Sequence, residues 1–209
     1  VSQTGCEGED VTFSATVSGD ITGYQWETDA GGSWTDISGA TSTDLTINDI
    51  SNSDEGSYRL NINGVCANKT TNAVTLTVQD TVTITDDPSS TTVCEGQDAT
   101  FSVTANGEAP LDYQWYTDAS GSWSSISGAT SDSYTVTDVS NADASDYRVE
   151  VSNSCGTKTS AAAPLTVNDT IEVESQPVSQ TGCEGSDITF SATVSGDVNG
   201  YQWETDASG

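Results

Sequence analysis

The chain repeats itself at a fixed interval, and this constrains its fold more than any other feature. Cys6, Cys94 and Cys183 stand 88 and 89 residues apart, Trp26, Trp115 and Trp203 stand 89 and 88 apart, and Cys66 recurs as Cys155 after 89. A module of about 89 residues is therefore stacked along the chain. Residues 178–209 match residues 1–32 at 27 of 32 positions, so a two-module unit of 177 residues also repeats. The expected divisions are 1–79, 80–168 and 169–209, the first lacking its opening strand and the third a truncated copy. With no methionine, no leader segment and no long apolar run, both ends read as cuts through a longer protein.

Within each module, apolar residues alternate with polar ones. Val11, Phe13, Ala15 and Val17 do so in the first copy, as do Leu45 and Ile47, then Tyr58, Leu60 and Ile62, then Val74, Leu76 and Val78. A period of two means strands with one wet face. No helical period is present, and breaks such as Ser18-Gly19-Asp20, Gly31-Gly32 and Asn63-Gly64 recur roughly every ten residues. The expected class is all-β, with short antiparallel strands closed into sandwiches.

The order of core residues narrows this further. Phe13 precedes Trp26, and then follows Leu45-x-Ile47-x-x-Ile50-x-x-x-Asp54-x-Gly56-x-Tyr58-x-Leu60; the second copy repeats the run with Phe101, Trp115, Tyr134, Val136, Val139, Asp143, Tyr147 and Val149. This resembles the immunoglobulin fold, with Trp26 and Trp115 as the strand C tryptophans and Tyr58 and Tyr147 as corner tyrosines. Phe13 and Leu60, like Phe101 and Val149, occupy positions that hold bridging cysteines in antibody-like domains, so the cores are expected to close by packing alone. No arginine precedes Asp54 or Asp143 in strand D, so these aspartates are expected to accept N–H groups of their own turns.

Cys-Glu-Gly before strand B, Tyr-Gln-Trp in strand C, Trp-x-x-Ile-Ser-Gly-Ala-Thr-Ser before strand E and a cysteine after strand F resemble the Ig-like repeats of giant surface proteins of the Bacteroidota. The resemblance implies tandem arrays in secreted adhesins, cell-surface filaments and multidomain hydrolases, exported by the type IX route. It implies no single activity.

Five cysteines in such a chain point to disulfides. In an Ig-like sandwich Cys6 lies near the bottom and Cys66 near the top, on the order of 25 Å apart. A disulfide needs Cα atoms within about 7 Å. Cys6 with Cys155, across successive modules, is therefore the preferred pair, with Cys66, Cys94 and Cys183 pairing outside the fragment. Pairing within modules, Cys6 with Cys66 and Cys94 with Cys155, remains open, as do bonds between chains. Strands are expected to restart at Thr81 and Thr170, leaving joints of about two residues and a stiff array.

The net charge of −28, from 32 acids against Arg59, Lys69, Arg148 and Lys158, excludes nucleic acid and anionic membranes as partners. It suits a saline, extracellular setting. Glu7, Glu9, Asp80 and Asp169 are candidate weak calcium ligands near the joints, set against the plainer role of solvating loops. There is no histidine and no catalytic motif, so no enzyme activity is expected. Trp34 and Trp123 could stack on sugars or cover a sheet edge, and Arg59 and Arg148 are expected to meet acids on the sheet face. Asn68-Lys69-Thr70 and Asn168-Asp169-Thr170 match a glycosylation sequon. The combined reading is the shaft of an extracellular filament, appendage or giant adhesin that self-associates or meets a cell-surface ligand. A glycan- or protein-binding module, or the spacer of a polysaccharide-degrading enzyme, is the alternative.

Overall fold

The computed structural model describes residues 1–206. The last three residues of the expected third division lie outside the described residues. In the first copy the strands are β1 (Gln3–Cys6), β2 (Val11–Ser14), β3 (Ile21–Thr28), β4 (Thr35–Asp36), β5 (Asp44–Ile47), β6 (Gly56–Gly64), β7 (Lys69–Thr70) and β8 (Val74–Gln79). One sheet runs β1-β8-β6-β3-β4, with β7 on β6, and the other is the pair β2-β5. β1 lies parallel to β8, Gln3 opposite Leu76 and Cys6 opposite Gln79. β3 and β6 run antiparallel, which sets Trp26 opposite Leu60 and Thr28 opposite Tyr58.

The alternation read in the sequence explains which faces meet. Val11, Phe13 and Leu45 of the smaller sheet pack on Trp26, Tyr58, Leu60, Leu76 and Val78 of the larger one, with Ile50 sealing one end. The Phe13 ring stacks on Tyr58 with centroids 5.2 Å apart. Each such side chain removed from water contributes roughly 1.5–3 kcal/mol, so packing replaces the bridge that antibody-like domains place here. Trp26 also directs its indole N–H to the Ser42 carbonyl at 3.0 Å, which satisfies that buried donor.

The second copy repeats the plan with β9 (Thr83–Asp86), β10 (Thr91–Cys94), β11 (Ala99–Ser102), β12 (Thr104–Asn106), β13 (Asp112–Thr117), β14 (Ser124–Ser125), β15 (Ser133–Val136), β16 (Asp146–Asn153), β17 (Gly156–Thr159) and β18 (Ala163–Asn168). Its larger sheet runs β10-β18-β16-β13-β14, and β11 pairs β15. Phe101, Trp115, Tyr147 and Val149 are buried like their counterparts. The copy has in addition β9 against β12.

The third copy contributes β19 (Glu172–Ser175) and β20 (Thr193–Ser195), paired antiparallel. Trp203 is 56% exposed where Trp26 is 3%, and an open hollow of about 910 Å³ lies among Ile188, Phe190 and Trp203.

Strands restart at Thr83 and Glu172, later than the sequence spacing suggests. The backbone at the joints is engaged otherwise: the Asp80 carbonyl accepts from the Glu108 N–H at 3.1 Å, and the Asp169 carbonyl from the Asp197 N–H at 3.4 Å. The chain resolves into two compact units. One comprises Val1–Thr85, Ala105–Asp112 and Val151–Lys158; the other comprises Asp86–Thr104, Tyr113–Glu150 and the described residues from Thr159 onward.

Candidate functional site: the joint disulfide and the outer sheet face

β1 ends at Cys6, and β16 and β17 meet at the turn that carries Cys155. The two cysteines form a disulfide with Cα atoms 5.5 Å apart, inside the first compact unit. Around it the unit is held by polar contacts. The Glu7 N–H donates to the Gln79 carbonyl at 3.0 Å. The Asn153 amide donates to the Asp80 carbonyl at 2.9 Å and to the Glu108 carbonyl at 3.1 Å. Ser154 donates to the Gln79 side chain at 3.1 Å. Val82 is buried beneath these contacts. Cys66, Cys94 and Cys183 are free and exposed.

Three of the four acids proposed as calcium ligands, Glu9, Asp80 and Asp169, accept a local hydrogen bond. A Glu9 carboxylate oxygen accepts the Cys6 N–H at 3.0 Å. Asp80 accepts from the Asn52 amide at 2.8 Å, and Asp169 accepts from the Asn141 amide. Glu7 contributes its backbone at the joint and its side chain is exposed. Among the described residues, no three or more acidic, Cys or His side chains converge on a metal-sized site. The paired Asn–Asp clamp was missed in the sequence, although Asn52 and Asn141 recur at the module interval and were readable there.

The two turns before β6 and β16 behave as their aspartates require. Asp54 accepts the Ser51 N–H at 2.9 Å and its hydroxyl at 2.8 Å, and Asp143 does the same with Ser140. Tyr58 and Tyr147 donate to the carbonyls of Asp54 and Asp143, closing both corners.

On the outer face of the larger sheets the copies diverge. Arg59 pairs with Glu27 at 2.6 Å and stacks over the Trp34 ring at 4.0 Å. In the second copy, Tyr116 stands where the first has Glu27. Among the described residues Arg148 consequently forms no ion pair with an acid, contrary to expectation. It lies over Trp123 at 4.2 Å and Tyr116 at 5.7 Å, and its Nε is buried without a partner. Tyr116 instead donates to Glu150 at 2.8 Å, and that bond, with burial second, pushes the phenol above its ordinary pKa. Trp34 and Trp123 are half-buried, each with an arginine over its ring.

These features define the chain as tandem immunoglobulin-like sandwiches. Residues 1–80 and 83–169 each match a domain family described as a domain of unknown function, DUF8696, and the chain belongs to that family. It is 31% identical over 163 residues to Endoglucanase C of Cellulomonas fimi, covering 77% of this chain and 15% of that protein's length. Among solved structures it is similar to an I-band fragment of titin, at TM-score 0.69 and 19% identity, covering 94% of this chain and 73% of the other. It is also similar to the two-domain Ig fragment of DIP-gamma, at TM-score 0.54 and 17% identity, covering 79% of this chain and 93% of the other. At such identities the structural likeness concerns the fold. No helix among the described residues is long and apolar enough to cross a membrane.

Proposed function

We propose that this chain is a structural repeat region, the shaft of an extracellular cell-surface filament, appendage or giant adhesin that mediates attachment. The observation that carries the reading is the Cys6–Cys155 bond, which joins one sequence copy to the next and belongs to an oxidising compartment. The repeated Asn–Asp clamps support it, because they fasten each exit strand to the turn before the corner. A surface of net charge −28 resists nonspecific clumping and favours exported, saline surroundings. The motif resemblance supports reading such a shaft as one of the surface proteins of the Bacteroidota, exported by the type IX route. The work done is mechanical: the sandwich cores resist unfolding and the disulfide limits extension. The chain is read as non-catalytic, with partners that are other chains of its kind or a cell-surface ligand.

Immunogold labelling of whole cells with antibody against this chain tests the reading. Label strung along surface filaments is expected. Label confined to a soluble secreted hydrolase would overturn it in favour of a spacer role, which the similarity to Endoglucanase C supports as the second reading.

A further inference from the structure

The first and second copies treat the same arginine differently. In the first, the Arg59 Nε–H donates to a Glu27 carboxylate oxygen at 2.6 Å while the guanidinium lies over Trp34. In the second, Arg148 lies over Trp123 in the same way, but its Nε is buried with no acceptor among the described residues. The difference comes from one position. Tyr-Gln-Trp is followed by Glu27 in the first copy and by Glu204 in the third, but by Tyr116 in the second. The neighbouring acid on β16, Glu150, does not replace Glu27, because it accepts the Tyr116 hydroxyl at 2.8 Å. A buried N–H left without an acceptor carries its full desolvation cost, more so on a charged group, so the site is incomplete as it stands.

The first copy shows which chemistry completes it: a carboxylate oxygen on Nε. The surroundings narrow the carrier. The Arg148 guanidinium carbon stands 4.2 Å from the Trp123 ring centre and 5.7 Å from that of Tyr116, so aromatic surface rims the approach to it. A ligand suited to this place has one carboxylate beside an apolar face. A second copy of this chain would bring a net charge of −28 against an equal one. A sugar acid brings a single negative charge, and the C–H groups of its ring supply the apolar face that aromatic side chains favour.

We propose that Arg148, Tyr116 and Trp123 form a receptor for a sugar acid, a hexuronate unit of a glycan, whose carboxylate takes on Arg148 the place that Glu27 holds on Arg59. The Tyr116 ring turns aside to admit it, and the bond to Glu150 is the latch that closes the empty site. Arginine suits the role because its planar fork meets both oxygens of a carboxylate while its face stays on the tryptophan. The site stands on its own geometry; within the shaft reading it supplies a point of attachment on the second copy.

Arg59 and Arg148 are the only arginines in the sequence, so a nitrogen–proton correlation spectrum of the isotope-labelled full chain carries one side-chain Nε–H signal for each, assigned with Arg59→Lys. Titration with sodium glucuronate at constant ionic strength is expected to move the Arg148 signal saturably, with a dissociation constant of about 1 mM, the level a ligand of this size reaches, and to leave Arg59 in place. Glucose and sodium acetate, each lacking half of the ligand, should bind at least about ten-fold more weakly. Tyr116→Glu, which fills the site from within as in the first copy, should weaken glucuronate binding by at least about the same factor. A still Arg148 signal, equal movement of both arginines, acetate or glucose as effective as glucuronate, or unchanged binding in Tyr116→Glu would each overturn the proposal. So would an Arg148 signal that moves with protein concentration alone, which would assign the carboxylate to a second chain. The spectra are read on the purified chain and the immunogold label on whole cells, so the two readings fail separately.

Discussion

The Tyr58 hydroxyl donates a 2.6 Å hydrogen bond to the carbonyl oxygen of Asp54, four residues back, and Tyr147 repeats the bond to Asp143 at 3.0 Å. Each corner thus fixes the turn into the central strand of its larger sheet while the ring below packs on Phe13 or Phe101. Tyr58→Phe keeps the packing and loses the bond, so it is expected to destabilise by about 1 kcal/mol in urea unfolding.

Tyr58 also sets an alkaline limit. Burial pushes the Tyr58 hydroxyl up, helped by the charges of Asp54 and Asp29 and opposed by the contact with Thr28; burial does the same for Tyr134. A raised folded-state value means the stabilising contribution is complete below the ordinary tyrosine value of about 10 and is lost as pH rises past it toward the folded value. The unfolding midpoint is therefore expected to fall above about pH 10, and to fall less steeply in Tyr58→Phe. An identical slope in the variant would count against this assignment.

The disulfide closes a loop with a sequence separation of 149 residues. In the chain-entropy description this restricts the unfolded chain by about 5 kcal/mol, and strain or residual structure brings measured values nearer 3. Cys6→Ser, followed by thermal unfolding without reductant, should lower the transition accordingly. The difference between variant and parent should vanish in strong reductant.

Asp49 and Asp138 hold φ of 52° and 53°, a left-handed conformation that costs most residues energy. Their side chains are exposed, and each turn is held by its own backbone N–H, which donates to the carboxylate of Asp10 or Asp98. Asp49→Gly is therefore expected to stabilise slightly, by roughly 0.5 kcal/mol, since glycine adopts this conformation without penalty but gains freedom when unfolded.

Arg148 offers a transplant experiment. Replacing Tyr116→Glu and Glu150→Asn installs the acid and the neutral neighbour that Arg59 enjoys in the first copy. The buried Nε then gains a carboxylate, with an expected stabilisation of about 1 kcal/mol that shrinks as salt is added. A gain that ignores salt would point to packing instead.

For calcium, each candidate carboxylate is already engaged or isolated, so any binding should be of millimolar strength, about the level of weak extracellular sites. Titration calorimetry of stripped protein showing saturation at micromolar calcium would refute this.

Much of the architecture was legible without coordinates because it depends on periodicity. Alternating Val, Phe, Leu and Tyr can bury one face only as strands, and a tryptophan at a constant interval marks each sandwich centre. The corner aspartates were readable for the same local reason, since their partners lie three or four residues away. The Asn–Asp clamps, 28 residues apart, were overlooked because a hydrogen bond across elements leaves no periodic trace.

What the amino-acid order determined alone was therefore the repeat, the strand class and the membership of each core, all consequences of short-range pattern and apolar burial. Only the tertiary structure decided which cysteines bond and that the Arg148 Nε is buried without a partner. These depend on which distant backbone segments approach within a few ångströms, and a one-dimensional pattern does not carry that distance.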